Sequence, residues 1–265
     1  MIFYFSGTGN TKWAAETLAR QTGERMLFIP EELKGKCEYE LEEGERIGFC
    51  FPVHGWQPPH IVREFIHQLR FINPPSPTAP HYVYALCTCG DSIGRTIEML
   101  QQELDVKGLT IASAFSLVMP ESYVCLPFMY TDTPEREKQK IAQATKELEQ
   151  YAKMIVDRVS GETHTHPGLT PWTFSHVIGA YFNSQMITDK KFTVDGNACV
   201  HCGKCQNVCP TGDLMFDGTL PRWQHDGSCT CCLACYHHCP QHAINYGSIT
   251  RRRGQYYFGH NKKSD

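Results

Sequence analysis

Over residues 1–160 the chain alternates between two hydrophobic periods. Apolar runs at 1–5 (MIFYF), 26–29 (MLFI), 46–51 (RIGFCF), 81–87 (HYVYALC) and 109–119 (LTIASAFSLVM) are short and rich in β-branched or aromatic residues, the composition of buried strands. Between them, apolar positions recur at helical spacing. Trp13, Ala14, Thr17, Leu18 and Gln21 share one stripe, and Ile61, Phe65, Ile66 and Leu69 share another. Thr133 followed by Pro134 reads as a helix start, a hydroxyl N-cap ahead of a residue whose fixed φ suits the first turn. The long helix predicted from there turns Ile141, Leu148, Ala152, Ile155 and Val159 inward, and Gly161 is its natural stop. Residues 30–45 are acid-rich without a clear stripe, so the second helix is expected to be short. Five strands alternating with helices predict an α/β domain over 1–160, built on a doubly wound parallel sheet. Residues 161–190 begin polar and proline-bearing and then turn aromatic with Trp172, Phe174, Tyr181 and Phe182. A free linker would not carry these rings, so this interdomain segment is expected to pack between two bodies. His164 and His166 within it are read as ordinary connector histidines rather than metal ligands.

Doubly wound sheets bind ligands beyond the C-terminal ends of their strands, where the strand order reverses. The loop after the first strand reads Ser6-Gly7-Thr8-Gly9-Asn10-Thr11 and runs directly into a helix. Hydroxyls and backbone N–H groups at a helix start suit a phosphate dianion, and the glycines allow close approach. A Walker A loop would need G-x-x-x-x-G-K-[ST], and a dinucleotide loop G-x-G-x-x-G; neither frame is present.

Eight of the 14 cysteines write one pattern twice. Cys199, Cys202, Cys205, Cys209 and Pro210 form C-x2-C-x2-C-x3-C-P, and Cys229, Cys232, Cys235, Cys239 and Pro240 repeat it 30 residues later. Structural zinc sites use separated ligand pairs closing a tetrahedron, which gives no reason for this doubled spacing. The spacing is that of two [4Fe–4S] clusters, in which the fourth cysteine of each run serves the other cluster. Cluster I is therefore assigned to Cys199, Cys202, Cys205 and Cys239, and cluster II to Cys229, Cys232, Cys235 and Cys209. The repeat continues past the cysteines, aligning Leu214 with Ile244 and Phe216 with Tyr246, so each half is expected to be a short proline-started helix followed by a strand. Residues 191–250 thus predict a small α+β ferredoxin-like domain, with 251–265 a basic and aromatic tail packed on it. Cys37, Cys50, Cys87, Cys125 and Cys231 lack paired spacing and are expected to be small buried residues.

Ser6–Thr11 resembles the FMN phosphate loop of flavodoxins, and the cysteine repeat is that of bacterial ferredoxins. Together they are similar to proteins described as EFR1-type ferredoxins, in which a flavodoxin-like domain precedes a two-cluster ferredoxin. The resemblance implies that Pro52, Val53, His54, Gly55 and Trp56, and then Thr88, Cys89, Gly90 and Asp91, grip the isoalloxazine ring. It makes Trp56 the candidate stacking residue, Gly55 the candidate for a peptide flip near flavin N5, and His54 a candidate to modulate protonation. The second aromatic that many flavodoxins carry after strand four is missing; Cys89, the main chain or Tyr123 is left to cover that face.

A net charge of -3 recommends no nucleic acid partner. Met1 leads straight into an apolar run without a basic n-region or cleavage site, so no secretory signal is expected. No apolar stretch approaches the roughly 18 residues of a membrane span. Many cysteines without a secretion signal suggest metal rather than disulfides, consistent with a cytoplasmic protein of a reducing or anaerobic cell. With both domains placed, no stretch of domain size remains for a nicotinamide-binding fold, so a protein redox partner is the expected donor or acceptor. One reading is an electron-transfer flavoprotein. The alternative is an FMN-dependent reductase of a small oxidant (a quinone, a tetrapyrrole or a nitro compound) fed by its own clusters. No nucleophile–base constellation calls for covalent catalysis by side chains.

Overall fold

The computed structural model describes residues 1–73 and 81–260; the last five positions of the predicted tail lie outside them. Strands β1 (Ile2–Tyr4), β2 (Met26–Phe28), β4 (Ile47–Pro52), β6 (Val83–Cys89), β7 (Ile111–Val118) and β8 (Glu162–His164) form one parallel sheet in the order β2-β1-β4-β6-β7-β8. Its first five strands have the flavodoxin-like order, with the reversal between β1 and β4. Short strands β3 (Glu38–Tyr39) and β5 (Arg70–Phe71) pair beside it. Strand alternation divides the core. Phe3, Phe49, Phe51 and Ala85 face α3 (His60–Gln68) and α4 (Thr96–Asp105). Ile2, Cys50, Tyr84 and Leu86 face α1 (Asn10–Thr22) and α5 (Pro134–Val156). Thr133 caps α5 by accepting from Arg136 N–H, and Leu148, Ala152 and Ile155 are buried as the stripe predicts. Between β2 and β3, α2 (Ile29–Glu32) is a single turn, as the patternless 30–45 segment implies.

The sheet has six strands where the apolar pattern predicts five. Gly161, at φ +82°, turns the chain back after α5, and Glu162–His164 then pairs with the open edge of β7. This edge strand is polar, so it carries no apolar run by which to recognise it. The two histidines of this segment have structural partners: His164, in β8, stacks on Phe115, and Ser116 Oγ lies 2.8 Å from Nδ1 of His166, just beyond it.

Residues 171–186 form one irregular helical stretch, α6 (Pro171–Thr173) and α7 (Gly179–Tyr181) joined and followed by π turns. Phe174 and Phe182 pack inward as expected, against Trp56 and Tyr123, whereas Trp172 and Tyr181 face solvent.

In the C-terminal module β9 (Phe192–Val194) pairs antiparallel with β12 (Ile244–Tyr246), and β10 (Leu214–Met215) with β11 (Arg222–Trp223). Helical turns α8 (Lys204–Asn207) and α9 (Ala234–His237) lie inside the two cysteine runs. The expected proline-started helices after Pro210 and Pro240 do not form; the helical turn precedes each proline. Leu214, Ile244 and Tyr246 are buried in the shared core. Among the described residues no helix is long and apolar enough to cross a membrane.

Candidate functional site

A cleft of roughly 1090 Å³, counted with the solvent at its mouth, opens beyond the C-terminal ends of β1, β4, β6 and β7. That is the reversal point where doubly wound sheets bind ligands. Of the fifteen residues that the sequence and its resemblance point to, all but Gly9 line it. Gly9 sits behind the loop, at φ +94°, against Phe258.

The first wall is the loop Ser6–Thr11. Gly9 is the N-cap of α1, and no side chain caps the helix, which leaves first-turn N–H groups for an anion. Thr11 is held by Thr88 at 2.7 Å between hydroxyl oxygens. Asn10 faces the protein instead: its Nδ2 donates to Pro120 O, and its Oδ1 accepts from Tyr256 OH at 2.7 Å.

The second wall is 52–57. Trp56 rests against Phe174 at 4.6 Å between ring centroids, and its Nε1 donates to Ser92 Oγ. One side of the indole is thereby occupied within the protein. Asn183 Nδ2 donates to the His54 carbonyl, and Phe182 packs so closely on Gly55 that no side chain fits there. The turn offered as a flipping peptide is therefore clamped from outside. His54 Nδ1 is buried without a hydrogen-bond partner. Burial, with His60 acting in the same direction, pushes this imidazole down to about 3, so it is neutral at physiological pH.

Residues 119–129, Tyr123 among them, close the cleft from the β7 side. The Tyr123 hydroxyl is also buried without a partner. Glu121 accepts from the N–H groups of Ser122 and Tyr123; burial raises its carboxyl pKa against those bonds and against nearby Lys140. Two orphaned polar groups and an uncapped helix start in one cleft are a site prepared for a polar ligand. An FMN fits that demand, with phosphate at Ser6–Thr11 and ring between the 52–56 and 88–91 loops.

The cysteines separate into two sets. Cys199, Cys202, Cys205 and Cys239 line a second, smaller hollow, the quartet that cross-ligation predicts for cluster I. Burial raises the Cys205 thiol, and Cys239 and Cys202 act on it electrostatically. In the other set, burial pushes Cys232 up to about 12, with Cys209 adding to the shift. Cys235 is raised chiefly by burial, then by Cys232, Cys209 and Cys229. Cys209 acts electrostatically on both of these thiols. Cys231 N–H points to Cys229 Sγ and Ala243 N–H to Cys239 Sγ, the N–H···S bonds that stabilise cluster thiolates. Among the described residues no three His, Cys, Asp or Glu side chains converge to hold a single metal ion; the four cysteines of the first set line one hollow. All-thiolate donors in that arrangement fit an iron–sulfur cluster.

The two sites touch. A Cβ on Gly7 would lie 2.6 Å from Cys232 Cβ and 3.0 Å from its Sγ, and Cys231, Cys232 and Leu233 form part of the cleft wall. The tail seals the junction. Phe258 N–H donates to Thr8 O and its ring stacks on Trp13, while His237 lies between Ser122 O and Tyr256 N–H. His237 sits in α9, between two cluster cysteines. Sequence reasoning missed these contacts. The basic, aromatic tail composition was the only signal for them, and it pointed to the ferredoxin-like module rather than to Thr8, Asn10 and Trp13.

Residues 192–214 match the 4Fe-4S binding domain family. The match spans the first cysteine run and places an iron–sulfur domain in the chain. A search of curated proteins finds no match. Among solved structures the chain is similar to an azoreductase from Bacillus anthracis str. Sterne, at 11% identity over 59% of this chain and 98% of that one (TM-score 0.37). It is also similar to the Trp repressor binding protein from Bacillus subtilis, at 15% identity over 56% and 97% (TM-score 0.32). At these scores they add nothing to what the strand order shows.

Proposed function

We propose that the chain is an iron–sulfur flavoprotein of the EFR1 type, moving electrons between two [4Fe–4S] clusters and one FMN, and exchanging them with a protein redox partner. The observation that carries this reading is the packing of Gly7 on Cys232: the phosphate loop and a cluster II ligand share one contact surface. Bound there, FMN would supply one- and two-electron chemistry. Ser6, Thr8, Thr11 and the N-terminus of α1 would bind its phosphate, His54 and Tyr123 would offer hydrogen bonds, and Trp56 would flank the ring. Cys229, Cys232, Cys235 and Cys209 would hold cluster II against the flavin. Cys199, Cys202, Cys205 and Cys239 would hold cluster I at the surface, where Cys202 is exposed, which makes cluster I the port for a partner protein. Tethering replaces a diffusional encounter with a high effective concentration.

Anaerobically reconstituted protein is expected to hold about eight irons and one FMN per chain; substoichiometric iron with bound zinc would refute it. A second reading is favoured by the apolar extension of the cleft over Leu126, Met129, Phe182 and Ile187: reduction of a small planar oxidant against the flavin. Specific turnover of one such oxidant, beyond the rate of unrelated flavodoxins, would select it.

A further inference from the structure

Iron–sulfur clusters pass electrons alone, whereas a flavin that takes two electrons also takes up a proton. A cleft fed by clusters therefore needs a proton donor of its own. Two carboxyls line it, those of Asp91 and Glu121. Asp91 is exposed, while Glu121 is partly buried in the 119–129 wall. The Glu121 carboxyl is anchored at one oxygen and open at the other. Its Oε1 accepts from the N–H groups of Ser122 at 3.0 Å and Tyr123 at 2.8 Å. Both bonds use Oε1, which leaves Oε2 open against Gly90, where a side chain would collide with it. Gly90 belongs to the loop placed at the isoalloxazine ring, so the open oxygen stands beside the proposed ring site.

The charges facing this carboxyl are already engaged. Lys140 Nζ donates to Gly90 O at 2.9 Å and to Asp132 Oδ2 at 2.7 Å. Asp132 also pairs with Arg136 and accepts the Glu121 N–H. From the loop after β6, Asp91 and the Cys89 thiol face the same space; burial pushes that thiol up to about 12, so it stays protonated. His54 lines the cleft as well and is neutral. Glu121 has no cation to itself, and burial makes it hold its proton to higher pH than an ordinary glutamate.

We propose that Glu121 is the proton carrier of the cleft, giving a proton from Oε2 to the flavin as electrons arrive from the clusters. Each reduced cluster gives up one electron. The Glu121 O–H bond breaks and an N–H bond forms on the ring, which is left with one negative charge. Lys140 steadies the carboxylate, which then takes a proton from water; reoxidation runs the exchange backwards.

The proposal rests on the flavin reading above, and its test keeps the two apart. Glu121→Gln retains the Oε1 acceptor for Ser122 and Tyr123 and removes the acidic proton. Anaerobic holoprotein would be assayed for iron and FMN, and flavin reduction by dithionite then followed by stopped-flow absorbance across the acid to neutral range. In wild type the rate is expected to fall as pH rises through the carboxyl pKa. In Glu121→Gln it should be about a hundredfold slower at acid pH and independent of pH, with cluster reduction unchanged. Glu121→Asp, which keeps an acid, should keep a pH-dependent rate. The absorbance of oxidised bound FMN should shift as the carboxyl ionises and lose that step in Glu121→Gln; a residue that only braced the turn would leave both pH profiles in place. Full FMN content with equal rates and equal pH profiles in wild type and Glu121→Gln would overturn the proposal and leave the flavin reading standing. Loss of FMN from Glu121→Gln, together with a wild-type rate that does not change with pH, would also overturn it. Wild-type protein holding iron but no FMN would overturn both.

Discussion

At the scale of single residues, the site depends on atoms whose positions leave little room. Gly7 has no space for a methyl group because the Cys232 side chain occupies it. Gly7→Ala is expected to destabilise the fold by about 1–3 kcal/mol through overpacking and to slow cluster-to-flavin transfer several-fold, read by thermal melts and transient absorbance. His54 carries a pH prediction. Its imidazole is held neutral in the fold, at about 3, so the unfolded chain binds the extra proton between that value and the ordinary one near 6.5. Its contribution is complete above pH 6.5 and falls as pH drops, by about 2 kcal/mol at pH 5. Denaturant unfolding at pH 7 and pH 5 should show this loss in wild type and a flatter dependence in His54→Gln. The site residues were legible because their chemistry is local: a hydroxyl-rich glycine loop and a fixed thiol spacing can be read without a partner. His237 and Tyr256 act across the chain on Ser122 and Asn10, and no local pattern announces such contacts.

At the scale of elements, the apolar runs located five strands because buried central strands must be apolar on both faces. The sixth, β8, escaped because an edge strand can be polar and needs only a free row of backbone groups to join. The same limit explains the tail. Tyr256 is almost wholly buried, at 2% exposure, yet its sequence neighbours are basic and polar. Tyr256→Phe removes the donor to Asn10 Oδ1 and leaves a buried acceptor unpaired, a cost of about 1–3 kcal/mol. FMN affinity is expected to fall about tenfold while iron content stays constant, measured by flavin fluorescence and iron assay; unchanged affinity would show that the strap does not support the phosphate loop. In α5, Leu148→Ala should cost about 2–5 kcal/mol without altering cofactor content, since Leu148 is buried in the core against the sheet and does not line the cleft.

At the scale of the whole molecule, the proposed relay is arranged by depth. Cys202 is exposed, Cys232 lies against the phosphate loop, and the cleft lies beyond it. The linear order of the motifs could not reveal which cluster faces the flavin, because cross-ligation interleaves the two runs and only packing decides. In the folded chain it is Cys232, of the second run, that meets the phosphate loop, and the return of the tail to Thr8 and Asn10 closes the arrangement. The most direct test of this relay is flash photoreduction of the flavin in anaerobic holoprotein, followed at cluster absorbance over a range of protein concentrations. Cluster bleaching at a first-order rate that does not change with concentration is the predicted result; a rate proportional to concentration, or no bleaching at all, would contradict it.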